Sequence, residues 1–435
     1  MEFESIKIKD TNIKLIDGDR GKNYPKKTEM MSHGHTLFLN NKNISENFLD
    51  DSFGDFITEE KSNLLKKGKL NRNDIVLSTR GSVGNVGFYD SQVKNDNIRI
   101  NSGMIILRNE DERFLNEYLY LLFKSPYMQN KFKEFVSGSV QNHLPIRDLQ
   151  HIKIIYPSLF FQAYIVKIIR QIEEKIQINK KLIAYLEELS QTLFKRWFVD
   201  FEFPDEDSNP YKSSGGEMID SKLGEIPKGW NILTINDFAD NLIITGKTPS
   251  TKNKDNYAET GIPFLTIPDM HTDVFSLNTI KYISEVGIEK LKNKILPKNS
   301  LCVSCIATPG LVSITSNKTL TNQQINSFIP KKNDLYYLYF YIKNIKNYIE
   351  DLGSGGSATL NLNKTQFSKI KIIKPIDDLL KKFHTCVNSN FKIILTKQKE
   401  NLKLQELRDT LLPKLMSGEL EIPDDIEVNM DELSI

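Results

Sequence analysis

After Pro157 the spacing of apolar residues changes from every second position to every third or fourth. Ile165, Ile168, Ile172, Leu182, Leu186, Leu189 and Leu193 fall on such steps, with Lys175 and Asn179 at the two intervening seam positions. This periodicity predicts one helix of about 40 residues, roughly 60 Å long at 1.5 Å per residue. No small core can wrap a helix of that length, so its stripe needs a partner. A second stripe follows Pro375: Phe383, Val387, Phe391, Ile394, Leu404, Leu407 and Leu411, interrupted at 397–401. A polar residue on such a seam can fix register, and Asn179 is read as that device.

Elsewhere the pattern is shorter. Residues 1–157 and 226–375 are punctuated by Gly, Pro and Asn, and between the breaks lie apolar runs such as Ile75-Val76-Leu77 and Met104-Ile105-Ile106-Leu107. These read as strands joined by turns, and an aromatic, helix-like stretch closes each region at 114–135 and 334–349. The fold class is mixed α/β.

The chain also repeats itself. Gly138 to Pro157, set against Gly356 to Pro375, matches at 8 of 20 positions, with an unbroken Ile-Lys-Ile-Ile at 152–155 and 370–373. The same offset aligns Leu186 to Leu193 with Leu404 to Leu411. Upstream, Leu70 to Ser78 aligns with Leu296 to Ser304, and Phe3 with Trp230, at a slightly larger offset, as loop insertions would produce. The chain is therefore two diverged copies of one module. The expected order is a globular region at 1–157, a helix at 158–200, an acidic linker at 201–225, a second globular region at 226–375, a second helix at 376–416 and an acidic tail at 417–435.

Charge sharpens this division. The formal net charge is only +2, but residues 200–226 carry eight acidic and two basic residues, and 417–435 carry seven acidic and none basic. The globular regions and helices are thus moderately basic, which suits a surface that meets polyanions without the charge of an autonomous strong binder. Three cysteines, Cys302, Cys305 and Cys386, are too few for a disulfide framework. With no signal-like apolar segment and no long apolar run, a cytoplasmic location without membrane contact is expected.

Catalytic motifs are missing. Gly81, Gly84 and Gly87 are spaced three apart rather than as a dinucleotide fingerprint. Gly246-Lys247-Thr248 lacks the glycine five residues earlier that a phosphate loop needs. Cys302 and Cys305 form a lone CxxC without a second pair, which reads as a buried strand rather than a metal site. Asn209-Pro210-Tyr211 lacks the second proline of a base-gripping methyltransferase loop, and no metal-binding carboxylate cluster suggests a nuclease.

Taken in order, several motifs carry a family resemblance. They are Phe201-Glu202-Phe203-Pro204, Gly224-Glu225-Ile226-Pro227-Lys228-Gly229-Trp230, Gly246-Lys247-Thr248-Pro249, Arg80-Gly81-Ser82-Val83-Gly84, and the helix end Leu411 to Gly418. With the repeat, the chain resembles the specificity subunit of type I restriction-modification systems. The resemblance implies two α/β target-recognition domains separated by two long antiparallel coiled-coil helices with an internal pseudo-twofold repeat. Each domain would read one half of a split, asymmetric site in double-stranded DNA. Two methyltransferase subunits would dock on the helices, and two restriction subunits would join in systems that cleave. The chain itself would bind no cofactor or metal. S-adenosylmethionine would sit on the methyltransferase, and ATP and Mg on a restriction subunit. The alternatives are a coiled-coil scaffold whose globular ends bind proteins, and a fused methyltransferase or nuclease with unrecognised motifs.

Base edges are read by Asn, Gln, Arg, Ser, Thr and His side chains presented from loops. Candidates in the first copy are Arg20, Lys22, Arg80, Ser82, Asn101, Gln141, Asn142 and His143. The second copy offers Lys247, Thr248, Thr308, Asn322, Gln323, Gln324, Asn361 and Asn363. Arg80-Gly81 is set against Thr308-Pro309, a pairing so different in chemistry that it marks either a plain turn or a specificity position.

Overall fold

The computed structural model describes residues 2–44, 49–135, 143–271, 273–354 and 360–420. The chain divides into two compact units, residues 1–175 with 404–435, and residues 176–403.

In the first unit, a four-stranded antiparallel sheet runs in the order Ile13–Asp17, Met104–Asn109, Ile75–Ser78, Val86–Phe88. A three-stranded sheet, Asp55–Ile57, Thr36–Leu39, Ile98–Ile100, lies beside it in sequence, with one antiparallel and one parallel pairing. Two of its strands are buried on both faces: all four residues of Thr36–Leu39 and all three of Ile98–Ile100 are buried. Strand Glu4–Lys7 pairs antiparallel with Lys153–Tyr156 and so ties the start of the unit to the segment that enters the helix.

The second unit repeats that plan. Its five-stranded sheet begins Ile244–Thr245, Ile325–Phe328, Leu301–Ser304, Val312–Thr315, the same order of equivalent strands, and adds Phe275–Ser276 in parallel at the edge. The register repeats too, since Ile75 faces Phe88 as Leu301 faces Ile314. Asn231–Thr234 pairs with Lys371–Lys374 just as the first strand pairs with the last in the other unit. The aromatic stretches form helices Asn116–Lys124 and Pro126–Phe135 in one unit, and Leu335–Asn344 and Lys346–Gly353 in the other. Tyr118 donates its phenol to the Ile155 carbonyl at 3.0 Å, and Tyr337 donates to Ile373, so even the buried hydroxyls find equivalent partners. That matters because an unpaired buried phenol would be costly.

The long helices are Leu159–Phe198 and Asp377–Ser417, and Gly418, with φ of 74°, closes the second in the left-handed conformation that glycine tolerates best. In the second unit Asn179 donates to Asn401 at 2.9 Å and Asn390 donates to Ser190 at 3.1 Å, so the helices run antiparallel. In the first unit Ile165, Val166 and Ile169 share a core with Leu412, Leu415 and Met416, and Arg408 lies 3.8 Å from Glu173.

The seam keeps Ile165, Ile172, Asn179 and Leu186 of the face read in the sequence, with Ile168 and Leu193 partly buried against the cores, and moves round by one residue elsewhere. The inward positions are Ile165, Ile169, Ile172, Ile176, Asn179, Ile183, Leu186, Ser190 and Phe194. Leu189 is 60% exposed and Leu407 45% exposed, so neither is a packing residue. The substituted stripe keeps an alternation of fours and threes through Ile169 and Ile176, where the sequence reading needed Lys175 on the seam. The second stripe is not interrupted either: it continues through buried Gln398 and Asn401. Gln398 accepts a hydrogen bond from the Phe275 backbone amide at 3.2 Å, which fastens the helix to the edge strand.

The segment expected as a linker is packed. Phe201 and Phe203 are buried, Phe203 stacks on Tyr211 and Trp230 with centroids 4.5 and 5.3 Å apart, and Met218–Ser221 pairs with Gly224–Pro227 as a hairpin. Acidic residues cover its outside while aromatics anchor its inside. Most of the acidic tail, 421–435, lies outside the described residues.

Candidate nucleic-acid interface

The first unit builds a surface cradle from loops distant in sequence. Strand Ile13–Asp17 ends at Gly18, where a Cβ would lie 2.2 Å from the Asn101 carbonyl oxygen, so only glycine lets these loops meet. Asn101 makes a tight Asx turn, its Oδ1 accepting from the Gly103 amide at 2.8 Å and its carbonyl accepting from Met104 at 3.3 Å. The Gly103 carbonyl then receives the Thr79 and Arg80 amides at 2.8 and 3.2 Å, which pins the third loop to the second. That loop is closed by Ser78, whose hydroxyl donates to the Ser82 carbonyl and accepts from the Asn85 amide at 3.0 Å. Gly81, with φ of 71°, sits at its tip, and Arg80 forms a β-bridge with His143.

Around this frame the structure brings together Arg20, Arg80, Ser82, Asn101 and His143. Arg20 reaches Asp17 at 3.0 Å and the Ser102 carbonyl at 3.3 Å. The Arg80 carbonyl accepts from Asn41 Nδ2 at 2.9 Å, while its Nε is buried with no hydrogen-bond partner among the described residues. His143 is held below its ordinary pKa, first by burial and then by the charges of Arg80 and Arg20. The cradle is therefore cationic. Lys22 is exposed two residues beyond Arg20. Gln141 and Asn142 lie outside the described residues.

The second unit makes the same cradle. A Cβ on Gly246 would lie 2.2 Å from the Asn322 carbonyl oxygen. Asn322 Oδ1 accepts from the Gln324 amide at 3.0 Å and its carbonyl from Ile325 at 3.3 Å, repeating the Asx turn. The Gln324 carbonyl receives the Cys305 amide at 2.8 Å. Ser304 donates to the Thr308 carbonyl at 2.5 Å and accepts from Leu311 at 2.9 Å. Ala307, with φ of 63°, occupies the tip, and Ile306 bridges Asn361.

Hydrogen bonding thus corrects the pairing read from sequence: Arg80 corresponds to Ile306, Gly81 to Ala307 and Ser82 to Thr308. Arg20 corresponds to Thr248, since Arg20 contacts Ser102 and Thr248 donates to the equivalent Gln323 at 2.5 Å. Lys247 takes the place of Asp19. Asn363 stands apart, because its side chain caps helix Lys364–Ser368 by accepting from Gln366 at 2.9 Å. Asn101 and Asn322 likewise spend Oδ1 on their own turns. Sequence reasoning missed Ser102 and Asn41, for neither sits in an aligned motif. Both CxxC thiols are buried, Cys302 within strand Leu301–Ser304 and Cys305 just after it, and burial pushes Cys302 up to about 12 and Cys305 to about 11.

A backbone built twice to hold different side chains is what two recognition surfaces of different specificity require. Comparison with known proteins decides the family. The model of the type I restriction modification DNA specificity domain matches residues 2–188 and again 227–404. The chain belongs to this family. The specificity subunit of the type I restriction enzyme HindI from Haemophilus influenzae is 32% identical over 93% of this chain and 98% of its own length. The MjaIX specificity subunit from Methanocaldococcus jannaschii is 28% identical over 80% of this chain and 78% of its own. The crystal structure of a type I S subunit from M. genitalium covers 98% of this chain and 97% of its own, with a TM-score of 0.54 at 16% identity, and so shares the fold. This specificity chain has two target-recognition domains and is a non-catalytic part of a type I system. No helix among the described residues is long and apolar enough to cross a membrane.

Proposed function

We propose that each unit reads one half of a bipartite, asymmetric DNA site, and that the long helices set the spacing of the halves and dock two methyltransferase subunits. The observation that carries this reading is the duplicated cradle with unlike side chains: Arg20, Arg80 and His143 in one copy, Thr248, Ile306 and Asn361 in the other. Identical frames meet equivalent groove faces, and different side chains select different bases. Each docked methyltransferase, carrying S-adenosylmethionine, would flip out and methylate an adenine in its half-site. Restriction subunits using ATP and Mg would be licensed when both halves are unmethylated.

Docking has support on the first long helix. Ile178, Tyr185 and Leu189 are 59, 66 and 60% exposed and, at spacings of seven and four, lie on one face. An apolar stripe of this kind marks a protein contact. The test is to combine the chain with its methyltransferase and map methylated adenines in genomic DNA. A gapped motif is expected, and exchange of residues 1–157 for another recognition domain should alter one half of it. Change in both halves, or no gapped motif, defeats the reading.

A further inference from the structure

The two cradles differ in kind at matched positions, and this difference assigns base chemistry to each. We infer that, given the half-site reading above, Arg80 reads a guanine for the first unit, whereas Gln323 reads an adenine for the second.

Arg80 is fixed at both ends of its backbone, its amide on Gly103 and its carbonyl on Asn41. Its side chain neither ion-pairs nor hydrogen-bonds with any described residue, although the chain has carboxylates in abundance. A guanidinium held this way keeps its planar fork for a ligand, and the fork matches the O6 and N7 acceptors that guanine presents in the major groove. Arg20 is a weaker choice, since Asp17 and the Ser102 carbonyl already occupy it. Lys22, a flexible point charge on the outer loop, suits phosphate instead.

In the second unit Ile306 stands where Arg80 does and can donate nothing. Hydrogen-bonding capacity has moved one loop over, to Gln323 in place of Ser102. Gln323 is exposed, and the Thr248 hydroxyl donates to its Oε1 at 2.5 Å. That bond orients the amide and leaves it one lone pair on Oε1 and both NH2 protons. One acceptor beside one donor is the pattern that pairs with the N6 amino group and N7 of adenine. Lys247 beside it supplies a phosphate contact without base preference.

The experiment uses the full chain with its methyltransferase, acting on duplexes that carry each base in turn at every position of both half-sites. Arg80→Gln should lower methylation roughly 5- to 100-fold on the native sequence by relaxing one guanine of the first half, with the second half untouched. Arg80→Lys keeps the charge and donors that can reach guanine but not the rigid fork, and should weaken the same guanine preference without abolishing it while retaining the wild-type salt dependence. Gln323→Arg should shift one position of the second half from adenine to guanine. Thermal unfolding and methyltransferase binding at wild-type levels establish that each variant is folded. Uniform weakening across all sequences with a shallower salt slope would make Arg80 a phosphate contact and overturn the assignment, as would unchanged specificity in Arg80→Gln or in Gln323→Arg. Absence of any gapped motif with the wild-type chain would instead overturn the half-site reading, and the assignment with it.

Discussion

The buried amide pair between the long helices offers a quantitative test of what holds them in register. Asn179 is fully buried and Asn401 8% exposed, and Asn179 Nδ2 donates to Asn401 Oδ1 at 2.9 Å. Asn401→Leu removes the acceptor and strands the buried NH2, which costs about 1–3 kcal/mol. Asn179→Leu strands the Asn401 oxygen but also removes Asn179 Oδ1, which is buried with no hydrogen-bond partner among the described residues, so its cost should be smaller. The double variant leaves no unpaired polar group and adds two apolar side chains, so its stability should return to within about 1 kcal/mol of wild type or exceed it. The pair should therefore couple by about 1–3 kcal/mol, within the range seen for neighbouring residues. Urea unfolding followed by tryptophan fluorescence is a suitable assay, because both tryptophans of the chain, Trp197 and Trp230, lie in the core of the second unit. Additive single effects, or single effects below about 0.5 kcal/mol, would refute the reasoning. The stabilised double variant should also hold register less strictly, since apolar seams slide more readily than a matched amide pair. A short thiol crosslinker between Cys introduced at Ser190 and Asn390, in a Cys386→Ser background, reads this out directly as a lower yield.

Gly246→Ala should disrupt the second cradle, because its Cβ would meet two backbone carbonyl oxygens at 2.2 and 2.3 Å; a loss of at least about 2 kcal/mol in thermal unfolding and weaker reading of the second half-site alone are expected. Glu187→Ala removes the acceptor shared by Tyr339, at 2.6 Å, and Lys343; because Tyr339 is buried, unfolding should be easier by about 1–3 kcal/mol, measurable by denaturant midpoint. Burial first, then Lys332 and Lys392, hold His384 below its ordinary value of 6.5. The folded protein then binds fewer protons than the unfolded chain, so stability is present above pH 6.5 and lost as pH falls through that value towards the depressed one. His384→Phe, which preserves the stacking on Tyr336, should flatten the stability profile between pH 7.5 and 5.5.

Much of the architecture was legible in the sequence, because it is written in local signals. Apolar periodicity predicted both long helices, and Pro157 and Pro375 mark where strand gives way to helix. The offset that aligns Ile152 to Ile155 with Ile370 to Ile373 predicted a module used twice. Periodicity could not choose between adjacent faces of the helix, however. Leu189 and Ser190 satisfy a three-four alternation almost equally, and only the partner helix decides which is covered. Asn179 was identifiable as a polar seam residue, yet its partner Asn401 lay in what looked like a break.

The recognition surface is the least local feature of all. Gly18, Arg80, Asn101 and His143 are gathered from four segments that lie far apart in the sequence. For that reason linear alignment set Arg80-Gly81 against Thr308-Pro309, while the shared Ser78 and Ser304 loop closures set Arg80 against Ile306. Period and spacing were enough to establish two copies of one module and two long helices. Which face of each helix is buried, why residues 201–225 pack on Trp230, and which side chains stand at matched places in the two cradles were decided only by the tertiary structure. Those outcomes depend on contacts between segments tens to hundreds of residues apart, whose geometry no local pattern encodes.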